Sequence, residues 1–147
     1  MKELLTDRVA IINGGATGMG RSSALLFSEE GCSCVIADIK EEEGKKTAEE
    51  ATKRGKECIF VKCDITDIPQ IKACVDQTVK KFGKVDILVG CAGGSIPRER
   101  VIESPSPGER PKMGIQYTDE KYYDLMMALN LKGHVFFAKE VAPYMME

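Results

Sequence analysis

The stretch RVAIINGGATGMGRSSALLF, residues 8–27, decides the fold. It opens with Arg8–Asn13, a short apolar run that stops at Gly14-Gly15. A run of this length without polar alternation reads as a strand buried on both faces, as in parallel sheets. From Gly18 the spacing turns helical, with Ser23, Leu26, Phe27 and Glu30 in register and Gly31 as the stop. Between strand and helix stand Gly14, Gly15, Ala16, Thr17, Gly18, Met19 and Gly20. A sharp turn needs residues without a Cβ, and a helix start presents unpaired N–H groups carrying about half a positive charge. A pyrophosphate laid against Gly18–Gly20 satisfies those donors. A glycine cluster alone also suits a plain turn; its place between strand and helix, opening a βαβ unit, predicts a dinucleotide site.

Working outward, the same alternation repeats. Cys32–Asp38 reads as a second strand, Glu41–Arg54 as a helix that is acidic first and basic last, and Cys58–Cys63 as a third strand. Asp67 offers an N-cap with Gln70 three residues on, and Ile68, Ile71, Val75, Val79 and Phe82 form an apolar stripe ending at Gly83. Val85–Cys91 is the fourth strand. Strands separated by helices of 12 to 15 residues predict an α/β fold with a doubly wound parallel sheet; one ordered 3-2-1-4 would have its first strand in the interior. The fourth strand then lies at an edge and is largely uncharged beyond Asp86, which suits pairing with another chain.

The rhythm breaks over residues 94–117, where Pro97, Pro105, Pro107 and Pro111 fall among Ser, Gly and Arg. Loops this long inside a domain are commonly functional or mobile, and this one follows a strand end, where such sheets bind ligands. From Thr118 helical spacing resumes through Tyr122, Leu125, Met126 and Leu129, then Phe136, Phe137 and Val141.

Composition narrows the function. The 147 residues hold 21 basic and 23 acidic side chains, a net charge of −2, which gives no broad field for nucleic acid or an anionic membrane. A hydrophobic content of 43% excludes a disordered chain, and the length fits one domain, residues 1–147. No apolar run is long enough to span a bilayer, and Glu3 and Asp7 precede the first one, so no secretory leader is expected and the location is read as cytoplasmic. The six cysteines (32, 34, 58, 63, 74 and 91) include no CxxC pair, and His134 is the one histidine. They read as buried, reduced thiols with no metal site, Cys91 alone being expected near a binding site.

Asp38 closes the second strand 24 positions after Gly14. A carboxylate there can accept from an adenosine ribose or cap the next helix. It also opposes a 2′-phosphate: like charges about 4 Å apart at an effective dielectric of 20 cost on the order of 4 kcal/mol. Tenfold in affinity is about 1.4 kcal/mol, so NAD is preferred over NADP. The next residues are Ile39 and Lys40, with no arginine to offset the charge. Asp64 closes the third strand in the same way, either toward an adenine amino group or as a cap.

Five places in order then carry a resemblance: GGATGMG at Gly14–Gly20, Asp38, CDITD with Asp64, CAGG at Cys91–Gly94, and LNLKG with Asn130. Over essentially its whole length the chain resembles the first part of the short-chain dehydrogenase/reductase family. The resemblance implies a Rossmann fold, incomplete here after the fourth strand and following helix. It implies hydride transfer between nicotinamide and a small alcohol or ketone, with NAD as cofactor and a homo-oligomeric parent. Gly14, Gly18 and Gly20, with Thr17 and Met19 between them, match the phosphate turn; Asp38 and Ile39 match the ribose side. Asp64 and Ile65 would line the adenine pocket, and Cys91, Ala92 and Gly93 the nicotinamide side. Asn130 would be the catalytic asparagine that shapes a helix irregularity and holds a water in a proton relay.

Four departures stand out. Asn13 replaces the family's threonine, and its NNAG reads Gly90-Cys91-Ala92-Gly93. The loop over 94–117 is long. The family's serine and YxxxK pair follow the asparagine helix, where lysine acidifies a phenol otherwise near 10. Here the sequence reaches Glu147 before that region, and Tyr117–Lys121 precedes Asn130, so it reads as a coincidence. The expectation is a cofactor half without the dyad. The alternatives are a non-catalytic dinucleotide-binding or regulatory module completed by a partner chain, and a methyltransferase binding S-adenosylmethionine, which CAGG and NLKG disfavour.

Overall fold

A computed structural model describes residues 4–95 and 118–146. The strands are β1 (Val9–Asn13), β2 (Ser33–Asp38), β3 (Cys58–Lys62) and β4 (Ile87–Gly90). The helices are α1 (Gly18–Glu29), α2 (Glu41–Arg54), α3 (Ile68–Phe82), α4 (Glu120–Met127) and α5 (Gly133–Met145), with a π-helical turn, Ala128–Lys132, joining the last two. All strand pairs are parallel, as the alternation predicts, and the order is β3-β2-β1-β4. The long loop lies almost wholly outside the described residues, as does Tyr117.

β1 runs between β2 and β4, and all five of its residues are buried. Strand periodicity sends alternate side chains to opposite faces. Ile11, Val35 and Ala37 therefore join Phe137, Ile71 and Val75 of α5 and α3 on one side. Ala10, Ile12 and Ile36 join Ala24, Leu25 and Ala51 of α1 and α2 on the other. Each fully buried Val, Leu or Ile contributes roughly 1.5–3 kcal/mol, so these two layers hold the sheet between the helices. The cysteines divide the same way: Cys32, Cys34 and Cys58 face α1 and α2, while Cys63 and Cys74 face α3 and α5. All are free thiols, and Cys91 alone is half-exposed.

Helix ends follow the sequence signals. Asp67 accepts from the Gln70 N–H, and Gly83 ends α3 in the left-handed region at φ 82°. Gln70 does not complete the reciprocal cap: its Oε1 accepts from the Asp64 N–H, while its Nε2 donates to Asp67. The buried face of α1 also differs from the spacing read in sequence. It consists of Gly20, Ala24, Leu25 and Ser28, whereas Leu26 is exposed. Small residues win the inward face because α1 packs close to the sheet and α2; Ser28 there donates to the carbonyls of Ala51 and Lys56. α4 carries no fully buried residue. Among the described residues no helix is long and apolar enough to cross a membrane.

Candidate functional site

The carboxyl ends of all four strands open onto one cleft of about 370 Å³. Its floor begins where β1 turns into α1. Gly14 and Gly18 adopt left-handed backbone, at φ 72° and 58°. Gly20 meets a different constraint, since a Cβ there would stand 2.2 Å from the Gly14 carbonyl oxygen. Thr17 is the N-cap of α1 but makes no side-chain cap, and no acidic residue sits in the first turn. The N–H groups at Gly18, Met19 and Gly20 thus face the cleft without a side-chain acceptor.

The turn itself is fixed by its neighbours. The Ala16 N–H donates to Asp38 Oδ2 at 3.0 Å, and the Ala16 carbonyl accepts from Thr47 Oγ1 at 2.9 Å. Asp38 Oδ1 accepts from the Lys40 N–H, so this carboxylate holds both the glycine turn and the start of α2 while lining the cleft. Of the two roles read for it in sequence, ribose acceptor and helix cap, the second differs in the structure: the N-cap of α2 is Lys40, without a side-chain cap, and Asp38 instead anchors the turn through Ala16. Thr47, buried on α2, gave no signal in the sequence because its partner lies 31 residues away. Arg21, near the start of α1, pairs with Glu50 and does not point its charge at the cleft.

Ile39 and Met19 form exposed apolar lips on this side. Asp64 and Ile65 line the next wall. Asp64 Oδ1 accepts from both the N–H and hydroxyl of Thr66, each at 2.8 Å, which makes an Asx turn; the helix cap read as its alternative is supplied by Asp67. Cys91, Ala92 and Gly93 line the far end, beyond β4. Every expected cofactor residue therefore borders the same cleft, including Gly14 and Thr17.

Asn130 sits beside that far end rather than among the lining residues, inside the π-helical turn. Its Oδ1 accepts from the Gly94 N–H at 2.8 Å, and its Nδ2 donates to the Gly94 and Met126 carbonyls. Widening a helix to the π form displaces the ordinary backbone bonds. The amide side chain takes up the carbonyl four residues back and pins the glycine segment at once. Among the described residues no cluster of His, Cys, Asp and Glu could hold a metal.

Comparison with known proteins places this geometry. The pattern of the short chain dehydrogenase family matches residues 8–147. The chain is 35% identical over 141 residues to (+)-borneol dehydrogenase 1 of Salvia officinalis, covering 96% of this chain and 48% of that one. It is 34% identical over 145 residues to the mitochondrial (-)-isopiperitenol/(-)-carveol dehydrogenase of Mentha piperita, covering 97% and 49%. A crystal structure of a hydroxysteroid dehydrogenase from Escherichia coli superposes with a TM-score of 0.79 at 29% identity, over 97% of this chain and 54% of that one. The chain spans about half the length of the curated relatives it matches. A glycine turn feeding an uncapped helix, an acidic end to β2 and an asparagine-bearing π turn accompany a match over nearly every residue: the chain belongs to the short-chain dehydrogenase family.

Proposed function

We propose that this chain binds a nicotinamide dinucleotide, NAD in preference to NADP, and forms the cofactor-binding portion of an oxidoreductase. One observation carries the reading: the uncapped first turn of α1 and the Asp38 carboxylate border one cleft and are tied together through Ala16. The residues fit the group. At Gly18 a Cβ would meet nothing within 4 Å, so the space above the first turn is open to a pyrophosphate. Gly18, Met19 and Gly20 would hold the phosphates through their N–H groups. Asp38 would accept from the adenosine ribose, with its charge opposing a 2′-phosphate by the repulsion derived above. Ile39 and Met19 would cover the adenosine half, with Ile65 beneath. Ala92 and Gly93 would support the nicotinamide half beside Asn130.

The cofactor supplies the hydride; the chain's own residues bind it and orient it. The names of the similar proteins, a borneol, a carveol and a hydroxysteroid dehydrogenase, support an alcohol or ketone as the other reactant. Titration of the chain with NADH, NADPH and S-adenosylmethionine, followed by fluorescence or calorimetry with size exclusion on the same sample, tests the reading. Saturable NADH binding with NADPH at least about tenfold weaker, ~1.4 kcal/mol, is expected. Equal affinity for the two dinucleotides overturns the Asp38 argument, and tighter S-adenosylmethionine binding overturns the dinucleotide reading.

A further inference from the structure

The buried side-chain atom without a partner among the described residues is Asn13 Nδ2. Asn13 is only 2% exposed, and leaving a donor unpaired there is costly. The Ala92 N–H donates both to the Asn13 backbone carbonyl and to Asn13 Oδ1, each at 3.1 Å, and the second contact orients the amide. Nδ2 therefore points away from Ala92, and it lies 3.9 Å from the point where a Cβ on Gly90 would stand. His134 Nδ1 lies 2.8 Å from that same point. The other ring nitrogen, Nε2, is 2.8 Å from the Ala92 carbonyl oxygen. A carbonyl only accepts, so Nε2 carries the proton, and Nδ1 of the neutral ring is an acceptor.

We infer that His134 is a positioning residue of the cofactor cleft: with Asn13 it holds Ala92 at both its N–H and its carbonyl, and its Nδ1 accepts from Asn13 Nδ2 through one water in the space beside Gly90. Glycine at 90 is part of the same device, since a Cβ would force the imidazole out. The departures at Asn13 and Gly90 thus meet at one point, and the His134 ring is what they accommodate. The clamp has a use in the cleft. Ala92 leads into Gly93 and Gly94, which have no side chains of their own to hold them. His134 grips the Ala92 carbonyl and Asn130, four residues earlier, grips Gly94. Together they set the backbone on which the nicotinamide half would rest. This functional part depends on the dinucleotide reading; the clamp itself does not.

His134 is the one histidine of the chain, so histidine labelled with ¹⁵N reports it alone. Ring-nitrogen NMR on the full chain is expected to show a single fixed tautomer, Nε2 protonated and Nδ1 a hydrogen-bonded acceptor, with Nδ1 shifting in Asn13→Asp, which keeps the acceptor and removes the donor. Averaging tautomers, a protonated Nδ1, or no response to Asn13→Asp overturns the clamp. For the cleft, His134→Phe should weaken NADH binding about tenfold, ~1.4 kcal/mol, while His134→Gln, which keeps both a donor and an acceptor, should stay within about threefold of the parent. A phenylalanine variant that binds as the parent does overturns the positioning role. A parent chain that binds no dinucleotide fails the functional reading, and the NMR result still decides the clamp.

Discussion

Asp38 and Ala16, 22 residues apart in sequence, are joined by a 3.0 Å hydrogen bond from the Ala16 N–H to the Asp38 carboxylate. The residue proposed to select the cofactor on electrostatic grounds is also the one that holds the glycine turn in shape. Asp38→Asn should separate the two roles. It keeps an acceptor for Ala16 and removes the charge, so NADPH should bind within about threefold of NADH, while Asp38→Ala should also weaken NADH itself about tenfold or more. Titration of both variants with both dinucleotides checks this. An unchanged preference in Asp38→Asn would show that discrimination lies elsewhere.

Gly18 and Gly20 should respond differently to alanine. At Gly20 the Cβ would strike the Gly14 carbonyl at 2.2 Å, a backbone clash, so Gly20→Ala should destabilise by at least the roughly 1–3 kcal/mol typical of overpacking. Gly18 has open space and left-handed backbone, so alanine costs only about 1–2 kcal/mol of strain. Its methyl group would nevertheless stand where a pyrophosphate must lie. Urea unfolding and NADH titration on both variants should show Gly18→Ala folded and without binding. A Gly18→Ala chain that binds like the parent contradicts the proposed phosphate site.

Thr47 anchors the other side of Ala16 from a buried position. Thr47→Val leaves the Ala16 carbonyl unpaired and should lower stability by about 1–3 kcal/mol, with Thr47→Ser retaining most of it. The midpoint of urea unfolding reports the difference. No shift in the valine variant would show that the bond contributes nothing.

Asp86 offers an acid-range prediction at the opposite end of the sheet. Burial acts to raise its carboxyl, but Arg8 Nη1 at 2.8 Å, the Val9 N–H at 2.9 Å and Lys84 at 3.0 Å outweigh it and hold the carboxyl below its ordinary value. A folded value below the unfolded one, near 3.9, means stability that is present above about pH 4 and lost as pH falls through the lower folded value. Parent and Asp86→Asn should therefore differ in urea midpoint near neutrality and converge under acid. A gap that persists unchanged into acid would contradict the ion-pair account.

The thiols should react in order of access and acidity. Cys91, half-exposed, should be alkylated first in the folded chain. Cys58 should follow: a hydrogen bond with Cys34, helped by Ser28 and opposed by burial, draws its thiol down to about 7. Contacts with Cys32 and then Cys58, together with burial, push the Cys34 thiol upward. It should stay unmodified until the chain unfolds. Cys34→Val should slow modification of Cys58, read by mass spectrometry of peptides over time; an unchanged rate would remove the thiol contact as the cause.

The sequence by itself determined the alternation of strands and helices, the parallel sheet, the glycine turn and the acidic end of β2. Each is written in local signals: apolar runs of strand length, helical spacing between them, and small residues where the chain must turn. LNLKG was legible only through the family resemblance, because helical spacing by itself marks Asn130 as an ordinary helix residue. The tertiary structure alone decided which face of α1 is buried: the face of Gly20, Ala24, Leu25 and Ser28 turns inward, and Leu26, one position on, is left exposed. It alone brought Thr47 to Ala16, His134 to Ala92 and Asn13 to Ala92, across 31, 42 and 79 residues. Side-chain bonds to backbone groups leave no periodicity in sequence; they depend on where neighbouring elements place one carbonyl or one N–H in space. Gly90 shows the division at a single residue: the sequence marks the glycine, and only the fold reveals the imidazole that needs its missing Cβ.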